Sequence, residues 1–327
     1  MHIARGDVCM QKTIQGTTDL RKRQTVFNTF TRDYQLWLLV LPAIAVIFIF
    51  NYVPMYGVQL AFREYSFKAG ITGGKFVGLK YFNKYFSSNM FGPTIINTFT
   101  VAGTSILMGF PAPILLALLF NQIRRRGAKR TLQTISYMPH FISTVVMVSL
   151  LQVFLSNTGI LSMAFKGLGI VPKDLNLMGS PKAFVWVYVL SGIWQNCGWD
   201  SILYLAALSS VDSQLYEACR IDGANRLQIT WHIDMPALVP TIVILLILNC
   251  GNILSVGFEK AFLMQNQMNL GVSQVISTYV YNVGIRTNTA PQFSYGAAIG
   301  LFNTLVNFVF LVVVNQVAKK VSNVSLW

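Results

Sequence analysis

The chain is 327 residues long, 54% of them hydrophobic and only 11% charged, with a mean hydropathy of +0.53. Soluble domains carry roughly 25% charged residues, so this composition excludes a water-soluble enzyme or binding domain and indicates an integral membrane protein. The formal net charge of +14 falls mostly between apolar runs, as the positive-inside rule requires. It forms no nucleic-acid-binding pattern, so the expected surroundings are the lipid bilayer and nucleic acid is not an expected partner.

A spanning helix needs about 20 mainly apolar residues. Residues 1–33, with Arg5, Lys12, Arg21, Lys22, Arg23 and Arg32, read as a cytoplasmic tail. The first apolar run, Leu36–Val58, is too long for a signal-peptide core and has no small-residue cleavage site, so it is expected to remain as the first span. Five more follow: Ile95–Phe120, Ile135–Leu155, Phe184–Leu208, Ala237–Val256 and Tyr295–Val317. The third has the shortest apolar core, because Pro139 and His140 interrupt it. Pro42, Pro54, Pro111 and Pro113 read as packing kinks whose freed backbone groups neighbouring helices satisfy.

The connection after the second span reads RRRGAKR, with Arg124, Arg125, Arg126, Lys129 and Arg130. It belongs on the cytoplasmic side. Six spans then put both termini and the loop 209–236 inside, and Gln59–Thr94, Ser156–Ala183 and Gly257–Ser294 outside. The expected fold is an all-α membrane protein with one six-span domain over residues 34–327.

No catalytic residue is assigned. Cys9, Cys197, Cys219 and Cys250 lack metal-ligand or disulfide-framework spacing. His2, His140 and His232 leave little for histidine chemistry, and no metal site is expected. The stretch AGITGGKF has Ala69 where a phosphate-binding loop needs glycine and Phe76 where it needs Ser or Thr.

The loop 209–236 is soluble in character. Asp212 and Ser213 suit the start of a helix that runs to Asp222, and Gly223 supplies its stop. Asn225 with Gln228 forms a second capping signature, and Pro236 marks the next span's entry. Glu217 with Arg220, and Asp222 with Arg226, are spaced to pair along a helix. The pattern Glu217-Ala218-Cys219, three residues, Gly223, nine residues, then Ile233-x-Met235-Pro236 resembles the coupling-loop motif of ABC-importer permeases. Cys219 replaces the motif's second alanine and Met235 its leucine. The stretches LPAIAVIFIFNYVPMYGVQLAF, YMPHFISTVV, GIWQNCGWDSILYLAALSSVD and SQVISTYVYNVGI are similar to the carbohydrate-type permeases, specifically those serving oligosaccharides and polysaccharide fragments.

The resemblance implies a type I importer permease of the bacterial cytoplasmic membrane. It would pair with a second, homologous permease, two cytoplasmic ATPase subunits and an extracytoplasmic solute-binding protein. ATP and magnesium would belong to the ATPase, and this chain would bind no cofactor. The ATPase-coupling residues would be Glu217, Ala218, Cys219, Gly223, Ile233 and Pro236.

Polar residues inside spans are costly and tend to face a cavity. The fourth span offers Gln195, Asn196, Trp199 and Asp200. The fifth offers Asn249 and Asn252, three apart on one helical face. These are the candidate substrate-path residues for an oligosaccharide, since amides bond hydroxyls in both directions. Interhelical bonding is the other reading the residues leave open. The rival function is an ion-coupled secondary transporter without an ATPase partner, for which Asp200 is the single intramembrane carboxylate.

Overall fold

A computed structural model describes residues 34–322, apart from Ala69, Ser255 and 287–291. The predicted tail, residues 1–33, therefore lies outside the described residues. The described chain is helical, with two isolated bridges, Arg63 to Phe76 and Ser66 to Gly70, in the connection after the first apolar run. It divides into two units at Val58 and Gln59. The described part of the first is the apolar helix α1, which reaches into the second to complete Tyr34–Phe62.

The second unit contains α2 (Lys80–Phe86), α3 (Phe91–Asn121), α4 (Arg126–Phe141), α5 (Thr144–Phe154), α6 (Ile160–Gly167) and α7 (Pro181–Ser209). After these come α8 (Ser213–Ile221), α9 (Arg226–Gly251), α10 (Phe258–Met264), α11 (Leu270–Ser273), α12 (Ile276–Gly284) and α13 (Phe293–Ser322).

Prolines leave a common mark on three of the long helices. π-helical turns at Phe48–Tyr52, Ser105–Gly109 and Thr230–Asp234 each end just before a proline: Pro54, Pro111 and Pro236. A helical proline lacks its N–H and its ring presses on the carbonyl four residues back. Those carbonyls, of Phe50, Leu107 and His232, all fall within the widened turns. A π-turn relaxes the crowding without breaking the rod, so all three helices continue through their prolines.

The third predicted span is corrected. Ile135–Leu155 is not one straight element: α4 and α5 meet at 94°. Met138–Phe141 tightens into a 3₁₀ turn, Ile142 and Ser143 are extended, and the Ser143 hydroxyl accepts from the Val146 N–H at 3.4 Å to start α5. The predicted loop-to-span boundary near Ala237 is also absent, because the second loop helix and the fifth span form one rod, α9.

Among the described residues, α1, α3, α9 and α13 are long and apolar enough to cross a membrane, and the bent α4–α5 pair makes a fifth if counted as one. The fourth predicted span corresponds to α7. At 29 residues it is about 44 Å long, ample for a bilayer, but Gln195, Asn196 and Asp200 dilute its apolar character.

Of the five buried clusters among the described residues of the second unit, three join its long helices. Val101, Met147, Phe184, Ala261 and Met264 join α3, α5, α7 and α10. Ile114, Phe120, Tyr204, Leu208 and Leu238 join α3, α7 and α9. Tyr85, Leu254, Ile276, Tyr295 and Ile299 join α2, the end of α9, α12 and α13. The α4–α7 crossing depends on Gly198, where a Cβ would collide with the Ser136 carbonyl.

Candidate functional site

The loop 209–236 is built from local signals. Asp212 accepts the Gln214 N–H at 2.9 Å and opens α8. At the other end the Ala224 N–H reaches the Cys219 carbonyl at 2.9 Å and the Gly223 N–H reaches Arg220 at 3.2 Å. This is a Schellman stop, and it needs the φ of +79° that Gly223 adopts. Asn225 and Gln228 then exchange bonds of 2.7 and 2.9 Å in a capping box that opens α9.

Glu217, Ala218, Gly223 and Pro236 are exposed, while Cys219 and Ile233 are half-buried. The expected pairs Glu217–Arg220 and Asp222–Arg226 do not form; among the described residues the one ion pair is Lys80–Glu64 at 3.8 Å. Glu217 and Arg220 are exposed, and such pairing gains too little to hold two long side chains fixed; Asp222 and Arg226 lie on either side of the Gly223 stop, so helical spacing does not bring them together. Large apolar side chains are also exposed here, Leu215 at 53%, Ile221 at 85%, Leu227 at 81% and Trp231 at 69%.

Beneath this exposed surface lies a mount that sequence reasoning missed. Asp234 is completely buried in the π-turn of α9. Its carboxylate accepts from Tyr216 Oη of α8 at 2.7 Å and from Asn121 Nδ2 at the end of α3 at 3.1 Å. Gln122 Nε2 stands 3.5 Å from the same carboxylate and donates to Thr230 Oγ1 at 2.9 Å. Burial, and then the bond to Asp234, push the Tyr216 phenol up to about 12. The available signal was a single carboxylate, Asp234, set at an apolar helix entry.

The second feature is a cavity of about 760 Å³ walled by α3, the α4–α5 corner, α7, α9 and α10. Gln195, Asn196, Asp200 and Asn249 line it, but Trp199 and Asn252 do not. Gln195 Nε2 is committed to the Ile142 carbonyl at 2.8 Å, where it pins the corner. Asn196 Oδ1 sits 3.0 Å from His140 Nδ1. The Trp199 indole stacks on His140, centroids 4.6 Å apart and planes within 3°, so that ring face is occupied. Asn249 and Asn252 bond back to the Leu245 and Leu248 carbonyls at 2.8 and 3.2 Å. Each keeps its oxygen and one amide hydrogen. Asp200 forms no hydrogen bond with a described residue.

His140, Glu259 and Lys260 also line the cavity and were not among the sequence candidates. The space is of the size that accepts small ligands, and amides and carbonyls on its wall can exchange bonds with hydroxyl groups.

A family model described as "Binding-protein-dependent transport system inner membrane component" matches residues 109–323. Protein LplB of Bacillus subtilis (strain 168) is 39% identical over 297 residues, covering 90% of this chain and 92% of that protein. The polygalacturonan/rhamnogalacturonan transport system permease protein YteP of the same organism is 39% identical over 300 residues, covering 91% and 92%. The crystal structure of a bacterial ABC transporter involved in the import of the acidic polysaccharide alginate contains a chain that superposes with a TM-score of 0.81 at 36% identity, covering 91% of this chain and 99% of that one. A helical bundle with a polar cavity and an exposed, separately capped loop, joined to matches of this extent, gives the assignment: the chain belongs to the family of binding-protein-dependent transport system inner membrane components.

Proposed function

We propose that the chain is the translocation subunit of an ATP-driven importer for oligosaccharides or polysaccharide fragments, crossing the bacterial cytoplasmic membrane six times with both termini inside. The sixth span in this count is α7, whose length suits a bilayer and whose polar residues face the bundle interior. A second permease of the same family and two ATPase subunits complete the complex. An extracytoplasmic binding protein delivers the sugar; the alginate transporter has been crystallised with an alginate pentasaccharide-bound periplasmic protein. ATP and magnesium act on the ATPase subunits.

The observation that carries this reading is the exposed helix α8, which presents Glu217 with Ile221 one turn further along the same face, while Tyr216 anchors the helix to Asp234. A charged group next to an unsheltered apolar side chain is what a docking helix needs. A rigid mount lets a push on that helix reach α3 and α9. ATP-driven closure of the ATPase pair would move α8 and open or close the cavity, in which Asn196, Asp200 and Asn249 meet the sugar.

The test is isolation of the chain from its native membrane in mild detergent, with mass spectrometry of what accompanies it. A stoichiometric ATPase and second permease, both lost on Glu217→Lys, support the reading. A lone, folded chain from intact membranes overturns it and directs attention to Asp200 and an ion-coupled carrier.

A further inference from the structure

We propose that Lys260 is the group by which the cavity recognises a carboxylate on its cargo, which makes the cargo an acidic, uronate-containing oligosaccharide; this rests on the reading of the cavity as a sugar passage. Among the described residues, Lys260 is the one lysine or arginine on the cavity wall, on the short helix α10 where it packs against α7. Its ammonium donates to the Tyr188 carbonyl at 2.6 Å and lies 4.5 Å from the centroid of the Tyr188 ring. No carboxylate of a described residue comes within 4.0 Å of it to form an ion pair.

An ammonium has three donors and no acceptor. One is used by Tyr188, and the other two are left for whatever fills the cavity. The position is one that the backbone makes room for: a Cβ on Gly192 would stand 3.1 Å from Lys260 Nζ. Glycine at 192 therefore lets the ammonium lie flat against α7, one turn beyond the carbonyl that holds it.

Burial lowers Lys260 to about 8, so at neutral pH it is still a cation, but one stripped of part of its water. Such a group gains more from an arriving carboxylate than a hydrated surface lysine does. Asp200 lies eight residues beyond Gly192 on α7, about 12 Å along the axis. Asn196 lies between the two along α7, and Glu259, next to Lys260 in the chain, is the other carboxylate of a described residue on the wall. A uronate carboxylate at Lys260 leaves the hydroxyls of the same chain to Asn196, Asn249 and Asp200. A neutral sugar would leave the ammonium without a direct ion pair in a partly dehydrated wall, and a site built to pair a polar group discriminates against ligands that lack its partner.

The simpler role for Lys260 is a pin between α10 and α7, and the experiment separates the two. The purified permease–ATPase complex, without its binding protein, is titrated with short oligogalacturonates and oligomannuronates and with their carboxyl-reduced, neutral counterparts. The comparison is between wild type, Lys260→Gln and Lys260→Arg. The expected result is wild-type binding of an oligouronate that falls about tenfold or more in Lys260→Gln, largely returns in Lys260→Arg, and leaves binding of the neutral counterpart within about twofold. Equal loss of both ligands in Lys260→Gln would make the residue a pin and overturn the proposal, as would unchanged oligouronate binding. Wild-type preference for the carboxyl-reduced ligand overturns the acidic cargo while leaving the importer reading intact. Failure to bind any of the sugars, in a complex whose ATPase is active, overturns both.

Discussion

The Tyr216 phenol donates a 2.7 Å hydrogen bond to the carboxylate of Asp234, eighteen residues ahead in the chain and completely buried. This bond ties the middle of α8 to the first turns of α9. Through Asn121 the same carboxylate reaches the end of α3. Three helices therefore share one acceptor, and displacement of α8 is transmitted to two long helices that wall the cavity. Asp234→Leu leaves two or three donors without a partner and is expected to destabilise this end of the bundle by roughly 1–3 kcal/mol. The milder Tyr216→Phe removes the link from α8 alone. It should leave the complex assembled while lowering the sugar imported per ATP hydrolysed, measured in reconstituted vesicles. An unchanged ratio would show that α8 transmits force by another contact.

Gly223 ends α8 with φ +79°, a conformation that costs a residue with a side chain roughly 1–2 kcal/mol, and more for a β-branched one. Space does not limit the site, since no atom lies within 4 Å of where a Cβ would stand. Gly223→Val should therefore insert into the membrane normally but misdirect α8 relative to α9. The measurement is the ratio of ATPase retained to chain present in the membrane fraction, and a wild-type ratio with wild-type uptake would refute the coupling role.

At Gly198 the constraint is steric. A Cβ meets the Ser136 carbonyl, so Gly198→Val has to push α4 away from α7. Overpacking of this kind typically costs 1–3 kcal/mol. A lowered thermal midpoint in detergent is the expected result, together with loosened stacking of Trp199 on His140, which is visible as a shift in tryptophan emission.

Asn249 and Asn252 should behave differently although they share a helical face. Asn249 lines the cavity and Asn252 does not. Asn249→Leu is expected to reduce sugar uptake several-fold with ATPase association preserved, and Asn252→Leu to leave uptake close to wild type. Equal effects in a transport assay would mean that the cavity is not the path.

Burial holds Lys260 at about 8, below its usual 10.5. The charged form is therefore present below pH 8 and is lost above it. Recognition of an acidic cargo should weaken as the pH rises from about 7 to 9, in wild type and not in Lys260→Gln. His140, Tyr188, Cys197, Asp200, Tyr204 and Glu259 are the other titratable groups of described residues on the wall, and the Gln variant reports their contribution alone. For folding the sign is opposite: between about pH 8 and 10.5 the unfolded chain binds the extra proton more readily, so this residue's contribution to stability rises with pH.

Much of this was legible in the residues. Asp212, Gly223 and the Asn225–Gln228 box placed both ends of α8 and the start of α9 to within a residue, because caps act across one turn and need no distant partner. The four long apolar helices were legible for a similar reason, since length and hydropathy are properties of a segment. The 94° corner between α4 and α5 was only half visible: Pro139 marked the weak point, but the bond by which Gln195 of α7 holds the Ile142 carbonyl there joins residues 53 positions apart. Of the failed pairs, Glu217–Arg220 has the right spacing and too little to gain in water, while Asp222 and Arg226 are split between two helices by the Gly223 stop.

The sequence by itself determined the membrane class, the positions of most helices and the shape of the exposed loop, all of which depend on interactions within a few residues. Only the tertiary structure decided which polar groups share a space. Whether Asn249 or Asn252 meets the cavity, whether Trp199 is free or stacked, and whether Lys260 reaches Tyr188 depend on how each helix is rotated about its own axis. That rotation is set by contacts such as Asp234 with Asn121 and Lys260 with Tyr188, between residues 113 and 72 positions apart, and helical periodicity carries no record of it.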